Sequence, residues 1–155
     1  MIKGISLVEH APTAPGLRLL GIGPRLTPSN GLLQLQSFLN KNTFWAKGRS
    51  KHQICKMLSN STVVVSLWHH NQLIGFGRAT SDLVFRAVLW DVVIASDHQG
   101  LGMGKLIIEA ILNNKKIKSV EKIYLMTTNS SEFYKQQGFK MSNKQLLLIL
   151  NKNRD

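Results

Sequence analysis

Apolar residues recur at three- and four-residue intervals in Leu32, Leu33, Leu35, Phe38 and Leu39, and again in Ile54, Met57 and Leu58. That spacing lines one face of an α-helix. Ser29 or Asn30 stands where the first helix would be capped, and the second is predicted over about Ser50 to Leu58. The period then shortens. Thr62 to Trp68, Leu73 to Thr80 and Phe85 to Ile94 read as strands, separated by turns at His69-His70-Asn71-Gln72 and at Ser81-Asp82, which makes an antiparallel meander. After a glycine-rich entry, Leu106, Ile107, Ala110 and Ile111 return to helical spacing. Ile123 to Thr127 reads as a strand, Ser130 to Gln137 as a short helix, and Phe139 to Met141 with Gln145 to Leu150 as a closing strand pair. The first thirty residues hold all four prolines and predict an irregular arm with one strand in Leu17 to Ile22.

The 155 residues, 43% apolar and 18% charged, suit one packed domain spanning 1–155. No run approaches the ~18 apolar residues of a membrane span, and the N-terminus lacks the order of a signal peptide, so a cytoplasmic protein away from the membrane is expected. Cys55 is the single cysteine and the five histidines show no ligand spacing, so neither a disulfide nor a metal is expected. The net charge of +12 is unevenly spread. Residues 1–60 carry eight Lys or Arg against one acid, 61–111 three against four, and 112–155 nine against three. A nucleic-acid module usually concentrates its basic residues on the recognition element. Here the motif-bearing middle is nearly neutral, which argues against nucleic acid as the partner.

That middle contains Asp91-Val92-Val93-Ile94-Ala95-Ser96-Asp97-His98-Gln99-Gly100-Leu101-Gly102-Met103-Gly104-Lys105, a strand turning into a helix through three glycines at alternate positions. Glycines let successive backbone N–H groups converge, and a helix N-terminus adds partial positive charge, so the turn suits an anion. It is neither a Walker loop, since Leu106 follows Lys105, nor a dinucleotide fingerprint, since the spacing is GxGxG. Close strand-to-helix packing is the bland alternative.

Gln99 to Gly104 fits the pattern [QR]xxGx[GA], and Phe133-Tyr134-Lys135-Gln136-Gln137-Gly138-Phe139 carries a YxxxGF motif at the next helix. With these two motifs and the order of elements, the sequence resembles the GCN5-related N-acetyltransferases over roughly residues 60–140. Gly75 to Asp82 and Leu89 to Ile94 resemble the cyanobacterial and plastid branch, which includes serotonin N-acetyltransferase-like members. The resemblance implies an α/β fold with about four helices around a mixed, mostly antiparallel sheet, splayed between its fourth and fifth strands to admit acetyl-CoA. The backbone of Val92, Val93 and Ile94 would meet the pantetheine. Gln99, Gly100, Leu101, Gly102, Met103, Gly104 and Lys105 would meet the pyrophosphate, and Asn129, or else Thr127 or Thr128, would contact the cofactor. Tyr134 would be the general acid toward the CoA sulfur.

Among the eight acids only Asp91 sits mid-strand among apolar residues. It can act as base, anchor a cationic amine, or be a structural carboxylate held by Arg78 or Arg86. Phe38, Phe44 and Trp45 either stack on an aromatic acceptor or pack the helix core, while His69 and His70 read as polar turn residues. The function expected is direct acetyl transfer to a primary amine, either an arylalkylamine such as serotonin or a protein lysine or N-terminal amine; a homodimer is common among the proteins it resembles. The rivals are a noncatalytic acyl-CoA sensor and a basic nucleic-acid-associated module.

Overall fold

The computed structural model describes residues 3–18 and 30–152. One five-stranded sheet runs in chain order: β1 (Ile5–Glu9), β2 (Val63–His69), β3 (Gln72–Ser81), β4 (Arg86–Ile94) and β5 (Lys122–Tyr124). The first four are antiparallel neighbours, whereas β5 lies parallel to β4. A parallel neighbour needs a crossover. Helix α3 (Met103–Asn113) supplies it, and α4 (Ser131–Gln136) follows β5.

Both faces of the sheet are covered. Val64, Trp68 and Phe76 share one core with Leu35 and Leu39 of α1 (Gly31–Asn42) and with Ile54 and Leu58 of α2 (Lys51–Ser59). On the other face Val63, Val65, Leu67 and Ile74 pack with Ile107, Ile108 and Ile111 of α3. Two-sided burial explains why β2 reads as a near-continuous apolar run. The helix starts differ: Ser50 forms a full capping box with Gln53, while Asn30 takes a left-handed conformation without a side-chain cap.

The helices and meander stand where the periodicity puts them. Strand β1 was not foreseen, because five residues give too short a run for a period to show. Of the strand expected in Leu17 to Ile22, Leu17 and Arg18 are in no strand and the remainder lies outside the described residues. β5 ends at Tyr124 rather than Thr127. The closing strand pair is corrected outright: neither 139–141 nor 145–150 joins the sheet. Leu146 to Leu150 are 63–90% exposed. A run apolar at every position needs cover on both faces to be a strand, and among the described residues this one only borders the cavity through Leu147 and Ile149.

One buried histidine gives the fold a pH dependence. Trp68 Nε1 donates to Ser66 Oγ (2.7 Å), and Ser66 lies 2.6 Å from His10 Nε2. His10 Nδ1 lies 3.3 Å from the Arg18 carbonyl, which only a protonated Nδ1 can satisfy, so in the neutral ring Nε2 accepts from the Ser66 hydroxyl. Burial lowers the His10 pKa from 6.5 to about 4. Because the unfolded chain takes up this proton first, stability falls as pH drops from 6.5 toward 4, by about 3 kcal/mol in all. Melting curves across that range should show the decline, and His10→Gln should flatten it.

Candidate active site

The site begins with a break in the pleat of β4. Phe76 pairs with Val93 and Arg78 with Trp90, so Asp91 and Val92 together oppose the single residue Gly77. Asp91 takes φ 51°, in the left-handed region. Such a bulge reverses the facing of every later side chain. Ala87 and Leu89 join the core on the α3 face, and beyond the bulge it is Val92 and Ile94 that do so, leaving Val93 on the α1 and α2 face. Asp91 is thereby turned toward α1 and α2.

The same strand loses its neighbour. β4 pairs with β5 only through Arg86, Ala87 and Val88, so from Leu89 onward its β5-side edge has no strand partner. The sheet is splayed there, between the fourth and fifth strands. Beyond the end of β4 comes the glycine turn. Gly100 and Gly102 adopt φ of 75° and 79°, which side-chain-bearing residues rarely take. Helix α3 starts from Gly102 with no side-chain cap and no acid in its first turn. Its leading N–H groups therefore lack intrahelical acceptors. Gln99 ties the turn to the strand by donating Nε2–H to the Ile94 carbonyl (3.0 Å). Lys105 is exposed and meets Glu109 at 3.7 Å. A Cβ on Gly104 would come within 3.0 Å of the Phe133 ring, so the glycine lets α4 approach.

Beside the bulge a cavity of about 620 Å³ is bordered by Trp45, Arg49, Arg78, Trp90, Asp91 and Tyr134 among others. This is the size range of small-molecule sites. Asp91 is the only acidic wall residue among the described residues, and both of its carboxylate oxygens are engaged. Oδ2 accepts from Arg49 Nη1 (3.0 Å) and Arg78 Nε (2.9 Å), while Oδ1 accepts from Trp45 Nε1 (3.1 Å). Its side chain is 4% exposed. Burial raises the carboxyl pKa, but hydrogen bonding from Arg49 and the charges of both arginines outweigh it and hold the group below the usual carboxylate range.

Tyr134 stands across the opening, half-buried between Phe133 (centroids 5.0 Å) and Phe139 (5.9 Å). Burial raises its pKa above the ordinary phenol value. Its hydroxyl makes no hydrogen bond to another described residue. Asn129, Thr127 and Thr128 border the same cavity as Tyr134, Asp91 and Val92. Thr127 Oγ1 and Asn129 Oδ1 accept hydrogen bonds from Ser130.

The expected residues thus fall into two groups, one at the glycine turn from Gln99 to Lys105 and one around the cavity. Val93 contributes backbone only, its side chain being core. Arg49 is the wall residue that sequence reasoning missed. It sits in the loop before α2, 42 positions from Asp91, and nothing local marks it. Trp45 and Phe44 are on the wall, whereas Phe38 is core. Among the described residues no group of His, Cys, Asp and Glu can hold a metal, and no helix is long and apolar enough to cross a membrane.

Fold and site together define a mixed α/β domain with a sheet splayed between β4 and β5. The acetyltransferase (GNAT) domain family matches residues 59–141, and the chain belongs to that family. A Prochlorococcus marinus protein named an uncharacterized N-acetyltransferase, ycf52-like, is 34% identical over 73% of this chain and 64% of its own length. A chloroplastic GCN5-related N-acetyltransferase of Arabidopsis thaliana is 28% identical over 74% of this chain and 59% of its own. The chain therefore spans about three fifths of these relatives. Among solved structures, a Staphylococcus aureus protein described as a probable acetyltransferase superposes with a TM-score of 0.71 at 19% identity, over 96% of this chain and 99% of that one.

Proposed function

We propose that this chain is an acetyl-CoA-dependent N-acetyltransferase that moves the acetyl group directly to a primary amine. The observation that carries the reading is that Tyr134 borders the same opening as the unpaired edge of β4, a strand that leads into the uncapped glycine turn. These residues fit the cosubstrate. The free amides from Gly100 to Lys105 suit its pyrophosphate, and the edge from Val92 to Ile94 suits the amides of pantetheine, which can pair like a strand. Asn129 or Thr127 holds the far wall. Bound acetyl-CoA supplies an acetyl group activated as a thioester.

The chain's own residues do the rest. Arg49 and Arg78 add positive charge to the acceptor side, which disfavours an ammonium ion and favours the neutral, nucleophilic amine. Tyr134 donates its proton to the departing sulfur as the C–S bond breaks and the new C–N bond forms. The surplus proton on nitrogen leaves to water, which returns one to the Tyr134 phenolate, because Asp91 is tied to three donors and serves to position the arginines. Phe44, Trp45 and Trp90 give the cavity aromatic walls, which favour a small aryl-bearing amine over a protein lysine or N-terminal amine. The chloroplastic relative adds a plastid to the cytoplasm as a compartment for this chain.

Thermal unfolding with and without acetyl-CoA tests the cosubstrate. At a concentration about 100-fold above Kd the ligand adds about 2.7 kcal/mol, a rise of about 5–10 °C in a domain of this size. No shift at ~1 mM, far above the micromolar range common for such sites, would turn attention to the basic flanks and a nucleic-acid role.

A further inference from the structure

The charges lining the acceptor cavity do not cancel. Two guanidiniums, Arg49 and Arg78, face one carboxylate, Asp91, and no other described acid borders the space. The two arginines are also unequally occupied. Arg78 is 13% exposed and divides its donors between Asp91 and Ser61 Oγ (3.4 Å). Arg49 is 28% exposed, and both of its contacts, to Asp91 and to Met57 Sδ (3.4 Å), come from Nη1 alone. Its Nη2 and Nε have no partner among the described residues. A guanidinium offers five N–H donors in a rigid fork that matches a planar carboxylate, so most of this fork is unspent.

Its surroundings fix it in place. Asp91 and Met57 hold Nη1 from two sides, and the Arg49 carbonyl accepts from Gln36 Nε2 (3.0 Å) of α1. A cation held in this way loses little freedom when a ligand binds it. Trp45 stands beside it, its indole N–H spent on the same carboxylate and its ring bordering the cavity.

We infer that the acceptor is a primary amine carrying a carboxylate of its own, which seats on the free donors of Arg49 while its apolar or aromatic body lies against Trp45 and Trp90. The inference rests on the acetyltransferase reading and narrows its substrate class to amino-acid-like acceptors. A simple arylalkylamine leaves the fork unpaired. A basic peptide meets the wrong sign of charge.

Matched pairs of amines that differ only in the carboxylate test it: phenylalanine against phenethylamine, and tryptophan against tryptamine, each assayed with acetyl-CoA. The carboxylate-bearing member is expected to show a kcat/KM about tenfold or more above its partner, the usual worth of a charge-assisted hydrogen bond. Arg49→Met should collapse that ratio toward one, chiefly through KM. Arg49→Lys, which keeps the charge and loses the fork, should retain part of it.

Quenching of tryptophan fluorescence by phenylalanine and phenethylamine, which do not emit in that band, in the presence of CoA reports binding where turnover is slow. The inference is overturned if the decarboxylated members are acetylated or bound as well as their partners, or if neither carboxylate-bearing amine is acetylated or bound. It is overturned equally if Arg49→Met leaves the ratio intact while unfolding curves show the variant folded. Any of these results with the acetyl-CoA thermal shift preserved leaves the acetyltransferase reading standing. Loss of that shift in the unaltered protein removes both.

Discussion

Tyr134→Phe is expected to lower kcat by about 10²- to 10³-fold while leaving the affinity for acetyl-CoA within about twofold, since a positioned general acid is commonly worth 10²–10⁴ in rate. The phenol is suited to the task in two ways. Its hydroxyl has no hydrogen-bonded partner among the described residues, so its proton is available to a ligand in the cavity. Burial raises its pKa above the ordinary value, so it remains a neutral donor at pH 7. Phenylalanine keeps the edge contacts to Phe133 and Phe139. The melting temperature should therefore hardly move, and the loss should be one of chemistry. In the unaltered protein the rate should rise with pH as the acceptor amine deprotonates, and decline only where the phenol itself ionises. Stopped assays on the first active acceptor, run beside a thermal shift with acetyl-CoA, separate the two quantities. A kcat within threefold of the unaltered protein, with binding intact, would remove the general-acid role from Tyr134, whereas acetyl-CoA binding with no turnover of any amine would support the noncatalytic acyl-CoA sensor.

The sequence displayed the parts of this site that are built from neighbours along the chain. The alternate glycines from Gly100 to Gly104 and the tyrosine of the YxxxGF motif are short-range patterns, and backbone geometry follows from them almost directly. Asp91 was conspicuous as the single acid inside an apolar strand. What it does was hidden, because its partners Arg49 and Trp45 lie 42 and 46 residues away. The bulge was hidden as well. A run such as Leu89-Trp90-Asp91-Val92-Val93-Ile94 fits one pleat as well as another, and only the register against Phe76 and Arg78 shows where the alternation reverses. The same limit explains the end of the chain. Gln145 to Leu150 is as apolar as β2, yet β2 has a neighbouring strand on each side and the later run has none among the described residues. Periodicity reports what a segment can become once it is covered, not whether cover exists.

Removing the Asp91 carboxylate tests whether it holds the site together or performs chemistry, because the two roles predict different losses. Asparagine is the informative replacement. It tolerates the left-handed backbone at φ 51° and can still accept from Trp45, so Asp91→Asn deletes the charge and spares the bulge. Two guanidiniums would then face each other uncompensated in a partly buried space. Breaking such a pair costs about 3–5 kcal/mol when fully buried. Arg49 is 28% exposed, which places the expected loss nearer 2–3 kcal/mol, or about 5–10 °C in melting temperature. Asp91→Ala should cost more, since it adds backbone strain.

Adding Arg49→Met to Asp91→Asn should return part of the stability, a coupling that a free catalytic base would not show. The pH dependence has a definite sign. A carboxyl held below its usual pKa contributes its stability above the unfolded value and loses it as pH falls through the folded one. The cost of Asp91→Asn should therefore be full at pH 7 and shrink only in acid, below the pH at which His10 has begun to destabilise the fold. If the melting temperature stays put while kcat falls, Asp91 is the base. If stability falls as expected and the KM for a carboxylate-bearing amine rises with it, Asp91 acts by holding Arg49 in place.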